Sequence, residues 1–406
     1  MLLRERFQCM IGEELQRKPS WEARMETICE AAQRGTVAFY PCSKFSRQIV
    51  KEVRRRDPSV RNGCFLSFDK SPQAVSEPGV RVCPLERFDE FRSEISLLVI
   101  ASSTYYARQE RDIADRTQYQ GPVLKTSFFD YTMPPGSPDD VMAEISAVCD
   151  TLADRKSVMC YLLSWLSRIM NDEDVTSLFE SENPLPDLAS STVQYKGYSI
   201  RGLDDPELKK ELFADVYNMR HVAPCPGDVL LDVGGFRGET AIVFADRVGP
   251  RGKVFAFEPV GASYRSMVEN IRDNGLDGIV TPVNKGCSSV SRSAKVISAA
   301  AGAPWSYVCE GDGAVDVELV SLDDFVRSHG LKKVDFIKAD VEGYESDVLN
   351  GAQWVLRTFK PRLAIALYHK SSDLVEIPRL VRSLGDYQLY IRSNMDGPFG
   401  LNLFCA

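Results

Sequence analysis

The run LLDVGGFRGETAIVFA at 230–245 leaves a chain few ways to fold. Apolar β-formers stop at a cluster of glycines, Gly234, Gly235 and Gly238, and an apolar helical spacing begins directly afterwards. Glycine admits a tight turn and a close approach of the backbone to another group. A strand that turns at once into a helix points to a parallel sheet, because parallel strands need a crossover connection. The downstream sequence supplies the strands for it. They are expected at 253–258, 279–284, 334–340 and 362–369, with helices at 262–275, 345–359 and 376–385. Such alternation specifies an α/β domain with helices covering a mostly parallel sheet. Extended pieces at 294–300 and 315–322 flank a glycine-rich turn. The chain ends in two β-rich runs, 387–393 and 400–406, around an N-M-D-G-P turn, so the last strand is expected to run antiparallel.

The first half carries a smaller version of the same pattern. Residues 1–35 have helical spacing. Short β-rich runs follow at 36–41, 63–69 and 95–103, separated by helical runs at 44–56 and 105–116. A long helical region spans 139–182, and 183–193 brings two prolines and several small polar residues, the composition of a linker. The expected plan is therefore a helical segment at 1–35, a Rossmann-like α/β domain with a helical connector at 36–182, a linker at 183–204, and the larger α/β domain at 205–406.

Composition removes several functions. A net charge of −8 over 406 residues argues against a phosphate-backbone binder, so no nucleic-acid partner is expected. No apolar run reaches the ~20 residues that span a bilayer, so no membrane partner is expected either. The opening MLLRERFQCM is charged too early and too often for a signal peptide. The chain has 11 cysteines without a C-x-x-C pair, and 3 histidines, which opposes a structural zinc site and fits a reducing cytoplasm.

Ligands of open parallel sheets bind beyond the carboxyl ends of the strands, so the candidate site residues are sought there. Glu258 ends the second strand, where its carboxylate can accept hydrogen bonds from ribose hydroxyls. Asp232, just before the first glycine, would crowd the pyrophosphate of NAD or FAD. It suits the ammonium and sulfonium charges of S-adenosylmethionine. The pattern D-x-G-G-x-x-G with a later glutamate resembles the cofactor loop of class I methyltransferases.

The resemblance narrows downstream. The segments SLDDFV at 321–326, VDFIKADVEGYESDVLNGA at 334–352 and PRLAIALYHKSSDLVEIP at 361–378 resemble the FkbM family of S-adenosylmethionine-dependent methyltransferases over about half of the chain, 205–406. The resemblance implies a class I methyltransferase (Rossmann-like) fold, a seven-stranded mostly parallel sheet with a terminal antiparallel strand. It implies S-adenosylmethionine contacts from Asp232, Gly234, Gly235, Gly238, Glu239, Thr240, Glu258, Pro259, Asn284 and Asp340. It further implies O-methylation of a small-molecule or carbohydrate acceptor, the hydroxyl of a sugar, glycan or polyketide-like metabolite.

Residue chemistry agrees with that implication. Asp340 and His369 end two strands expected to be neighbours. A hydroxyl attacks a methyl group only as its proton leaves, so His369 is the candidate general base, oriented by Asp340 or Glu342. The same three side chains could instead hold a divalent cation; this is the less favoured reading, and no metal ligand is assigned. Lys338 is read as a carboxylate's partner, and Glu345 as a helix-starting charge. Ser321 and Asp324 read as a capping box, with Asp323 beside it. His329 sits at a helix end, away from the chemistry, and Trp354 and Phe359 are core.

The N-terminal unit departs from a dinucleotide turn. After its first strand come Pro41, Cys42 and Ser43, with no glycine between Gly35 and Gly63. Side chains there would block a pyrophosphate, which leaves acceptor binding, homodimerisation or structural support as roles for this unit. Two competing readings remain for the whole chain: an NAD-dependent oxidoreductase or epimerase, and a binding protein with a methyltransferase fold but no turnover. Asp232 opposes the first. The joint presence of Asp232, Gly234, Glu258, Asp340 and His369 opposes the second.

Overall fold

The computed structural model describes residues 2–41, 43–60, 64–69, 79–102, 113, 117, 119–170, 191–219, 221–298, 306–308, 315–393 and 400–406. The helix expected at 105–116, the end of the helical region beyond 170 and the turn at 394–399 lie outside them. The chain forms two compact units, one built from 1–143, 162–176 and 370–372, the other from 144–161, 177–369 and 373–406.

The first unit holds strands β1 (Thr36–Tyr40), β2 (Phe65–Asp69), β3 (Val80–Pro84), β4 (Ile95–Ser102) and β5 (Val123–Ser127). All pair in parallel, in the order β3-β2-β1-β4-β5. Helices Leu2–Arg17 and Trp21–Arg34 precede β1. Residues 1–35 do not stand apart from this unit: Met25, Ile28 and Ala32 share one core with Val37, Phe39, Ile49 and Val99. At the turn after β1, Ser43 Oγ accepts from the Ser46 amide at 3.1 Å, and Ser46 Oγ accepts from the Ser43 amide at 2.8 Å. These side chains occupy helix N-terminal amides that would otherwise face an anion.

The second unit contains β6 (Thr192–Tyr195), β7 (Tyr198–Arg201), β8 (Val229–Val233), β9 (Lys253–Phe257), β10 (Val280–Val283), β11 (Gly286–Cys287), β12 (Arg292–Ser298), β13 (Ser306–Val308), β14 (Val315–Val320), β15 (Phe336–Ala339), β16 (Arg362–Ala366), β17 (Leu389–Ser393) and β18 (Leu401–Cys405). Seven of them form the main sheet in the order β10-β9-β8-β15-β16-β18-β17. The first five are parallel, and β18 runs antiparallel to both β16 and β17. Strands β11 to β14 make a separate four-stranded sheet. No helix among the described residues is long and apolar enough to cross a membrane.

Two elements differ from the sequence reading. Residues 192–201, read as the end of a linker, form the hairpin β6-β7, whose Val193, Tyr195 and Ile200 join the core of the main sheet. Buried Asn270 fastens it: its Oδ1 accepts from the Arg201 amide at 3.0 Å and its Nδ2 donates to the Arg201 carbonyl at 3.1 Å. The single helix expected at 345–359 is two, Glu345–Asn350 and Gln353–Phe359. Asp323 causes the break. Its amide donates to the Gly351 carbonyl, and its carboxylate accepts from the amides of Trp354 and Val355 at 3.0 Å each.

The break also needs Gly351 itself, because a Cβ there would lie 2.1 Å from the Ser288 carbonyl oxygen. Gly351→Ala is expected to cost about 1–3 kcal/mol through overpacking. Thermal unfolding followed by circular dichroism checks this, and an unchanged Tm would contradict it.

Candidate active site

The carboxyl ends of β8, β9, β15 and β16 carry the candidate residues. Between β8 and the helix Glu239–Val248, Gly234 and Gly238 take positive φ, +84° and +90°. The sequence assigns these glycines to ligand approach, but their nearest constraints are protein atoms. A Cβ on Gly234 would stand 1.9 Å from the Asp340 carbonyl oxygen. One on Gly238 would meet Met267 Cγ at 3.1 Å. The amides of Gly234 and Gly235 both donate to the Phe257 carbonyl, at 3.2 and 2.8 Å, which fixes the loop to the end of β9.

Asp232 lies beneath this loop, fully buried. It accepts from Thr240 Oγ1 at 2.7 Å and stands 3.4 Å from Lys338 Nζ, which β15 delivers in register with it. Lys338 also donates to the Gly234 carbonyl at 2.6 Å. Burial opposes its charge, but the carboxylates of Asp232, Asp340 and Glu239 outweigh burial and hold the ammonium above the ordinary lysine value. Lys338 is thus a carboxylate's partner, as its sequence context suggests. Asp232 is correspondingly a neutralised support of the loop, not an uncompensated charge facing a ligand.

Glu239 and Glu258 form the acidic rim beside the loop. Glu258 accepts from the Val260 amide at 2.8 Å, and Glu239 accepts from the Arg237 amide at 3.2 Å. Burial pushes Glu258 up to about 8, with the nearby Glu239 adding to it, and burial takes Glu239 up to about 7. Asn284 Nδ2 donates to the carbonyls of Glu258 and Pro259, at 2.8 and 3.2 Å. It therefore straps the chain that follows β9.

Asp340, just past β15, anchors the other half of the site. Its Oδ2 accepts from the hydroxyls of Tyr217 at 2.5 Å and Tyr368 at 2.8 Å, and its Oδ1 lies 3.4 Å from His369 Nε2. The chain then turns through Glu342 and Gly343, both at positive φ. Glu342 Oε2 is 3.7 Å from His369 Nε2. Glu345, read as a helix-starting charge, does open the helix Glu345–Asn350 and is also part of this cluster: fully buried, it lies 2.9 Å from His369 Nδ1. Its Oε1 accepts from the amides of Val341 at 2.8 Å and Gly343 at 3.4 Å. Burial works against a charge on His369, but Glu345, Glu342 and Asp340 together carry its ring up to about 10. An imidazole so surrounded favours its cation, which is not the resting state of a general base.

Elsewhere, Ser321 Oγ accepts from the Asp324 amide, but the Asp324 carboxylate accepts from Ser291, so only half of the expected capping box forms. His329 stacks on Phe325 at 4.0 Å, as a helix-end residue. Tyr217, Tyr368 and Glu345 were not selected from sequence. Only Tyr368, adjacent to His369, carried a signal.

A parallel sheet with this strand order, a glycine loop after β8 and carboxylates at successive strand ends defines a class I methyltransferase fold. Residues 232–387, well under half of the chain, match the methyltransferase FkbM domain. A crystal structure of methyltransferase FkbM from Methylobacillus flagellatus KT aligns over 100% of both chains with a TM-score of 0.56 at 16% identity, a likeness of fold. The hexuronic acid methyltransferase AglP of Haloferax volcanii is 29% identical over 154 residues, 38% of this chain. The match spans 61% of that relative's length. Methyltransferase 1 of Beauveria bassiana is 24% identical over 200 residues, 44% of this chain and 79% of that protein.

Glu239 and Glu258 give the site a pH signature. A carboxyl whose pKa is raised by folding adds stability that is complete below its unfolded value, near 4.5, and is lost as pH rises through the folded value. The Tm of the ligand-free protein is expected to fall from pH 5 to pH 9 through this contribution. Glu258→Gln should flatten part of the fall, and an identical slope in the variant would contradict the assignment.

Proposed function

We propose that this chain is an S-adenosylmethionine-dependent methyltransferase acting on an acceptor hydroxyl. The observation that carries the reading is the FkbM domain's acidic rim, formed by Glu239 and Glu258 beside the glycine loop. Two buried carboxyls there suit a ligand that brings hydroxyl donors and positive charge, which a pyrophosphate does not. Glu258 would accept from the ribose hydroxyls, and the first turn of the helix from Glu239, beginning after uncapped Gly238, would face the polar end of the ligand. Asp232 and Lys338 hold the loop that frames it. S-adenosylmethionine, when bound, supplies an electrophilic methyl group.

The acceptor belongs at the other half of the rim, where Asp340, Glu342 and His369 converge. There Glu342, at the edge of the cluster, would receive the hydroxyl proton, and alignment of the attacking oxygen supplies the remainder of the rate enhancement. The acceptor class proposed is a sugar, glycan or polyketide-like metabolite. Because the archaeal relative bears the name of a hexuronic acid methyltransferase, uronic acids and their glycosides are the first acceptors to test.

Calorimetry against S-adenosylmethionine, S-adenosylhomocysteine and NAD tests the cofactor. Binding of the first two is expected, and Glu258→Ala should weaken it roughly 10-fold to 100-fold, the worth of a hydrogen bond to a charged group. Binding of NAD alone would overturn the reading. Transfer of labelled methyl to uronic acid glycosides, with the product located by mass spectrometry, tests the acceptor.

A further inference from the structure

We infer that Asp340, Glu345 and His369 form a binding site for a divalent cation of the magnesium or manganese kind. One ligand atom from each of the three lies within 4.8 Å of the others. Each carboxylate is divided in the same way. Asp340 Oδ2 is fixed by two tyrosine hydroxyls, while its Oδ1 is buried with no hydrogen bond among the described residues. Glu345 Oε1 is fixed by two backbone amides, while its Oε2 is buried and likewise without one. Neither nitrogen of His369 makes an aligned hydrogen bond, although carboxylate oxygens lie 2.9 to 3.7 Å away.

Buried polar atoms left without a hydrogen bond are destabilising, and a protein interior rarely keeps several in one place. A divalent cation would satisfy one free oxygen from each carboxylate and, by displacing the proton that His369 otherwise holds, take up an imidazole lone pair. The tyrosines and amides already hold the other oxygens, as outer-shell groups hold the ligands of a metal site. Glu342, at the cluster's edge, adds negative charge. A ligand set of carboxylate oxygens and one imidazole suits hard or borderline divalent ions and excludes thiolate-seeking ones.

Resting on the methyl-transfer reading above, such an ion would bind the acceptor hydroxyl and lower its pKa, so that the proton leaves to solvent or to Glu342 while the oxygen–methyl bond forms, the methyl–sulfur bond breaks and S-adenosylhomocysteine is the leaving group. This gives the histidine a role its carboxylate neighbours do not oppose. It also brings Glu345, at the start of its helix, into the site.

The test titrates metal-stripped full-length protein with Mn²⁺ at pH 7.5, with free ion followed by electron paramagnetic resonance. One bound Mn²⁺ per chain is expected, with affinity at least about tenfold lower in Glu345→Gln and Asp340→Asn, and unchanged in Glu258→Gln. The Tm of the wild type should rise with Mn²⁺, and that of Glu345→Gln should not. Absence of a stoichiometric site in the wild type, or equal binding by Glu345→Gln, would overturn the proposal. Neither readout requires turnover: Mn²⁺ binding without S-adenosylmethionine binding would leave the site standing and remove the methyl-transfer reading, and the converse would do the reverse.

Discussion

Everything at the carboxyl edge of the main sheet hangs on one buried ion pair. Lys338 and Asp232 face each other in register on adjacent strands, both almost wholly buried. An isolated charge of either sign would be untenable there, and removing one partner of a buried pair typically costs 3–5 kcal/mol. The lysine does more than neutralise. By donating to the Gly234 carbonyl it sets the entry to the glycine loop, while Asp232 takes up the hydroxyl of Thr240 on the following helix. One pair thus fixes two strands, a loop and a helix start. Glu239 and Glu258, the residues proposed for the ligand, lie beside it, and Lys338 offsets their burial only in part.

The two halves of the rim solve opposite electrostatic problems. Around Glu239 and Glu258, burial outweighs the pull of Lys338, and the carboxyls respond by holding their protons to higher pH. Around His369, three carboxylates crowd one ring, and the ring responds by holding its own. Both arrangements are costly in a ligand-free protein, and both would be relieved by positive charge or by hydrogen-bond donors brought in from outside.

Much of this was legible in the sequence, for reasons that show where legibility stops. Strand ends are local: apolar runs that stop in Asp232, Glu258, Asp340 and His369 announce themselves, and the order of strands around the glycine loop follows from crossover rules. Tyr217 reaches Asp340 from 123 residues away, and no local pattern encodes that pairing. Glu345 opens a helix as its sequence suggests, and because a glutamate there already has a sufficient explanation, its second contact with His369 left no trace. The break at Gly351 depends on Asp323, which stands in the first turn of the helix Leu322–Ser328 as read and also accepts from the first amides of the helix Gln353–Phe359, a second role that no local pattern shows. The hairpin at 192–201 was hidden by prolines and small residues next to it, which imitate a linker. In the N-terminal unit, the absence of glycine after β1 was informative, since Ser43 and Ser46 fill the helix start with their own side chains.

The missing Cβ of Gly234 has a mechanical meaning as well. With the Asp340 carbonyl occupying that space, the loop beside Glu239 and the turn that carries Asp340 toward His369 are in backbone contact. No side chain intervenes to act as a cushion, so the two cannot be repositioned separately. Grafting the 340–345 turn alone from a relative would carry a mismatch into the loop. The transferable unit is the pair of strand ends, β8 and β15, taken together.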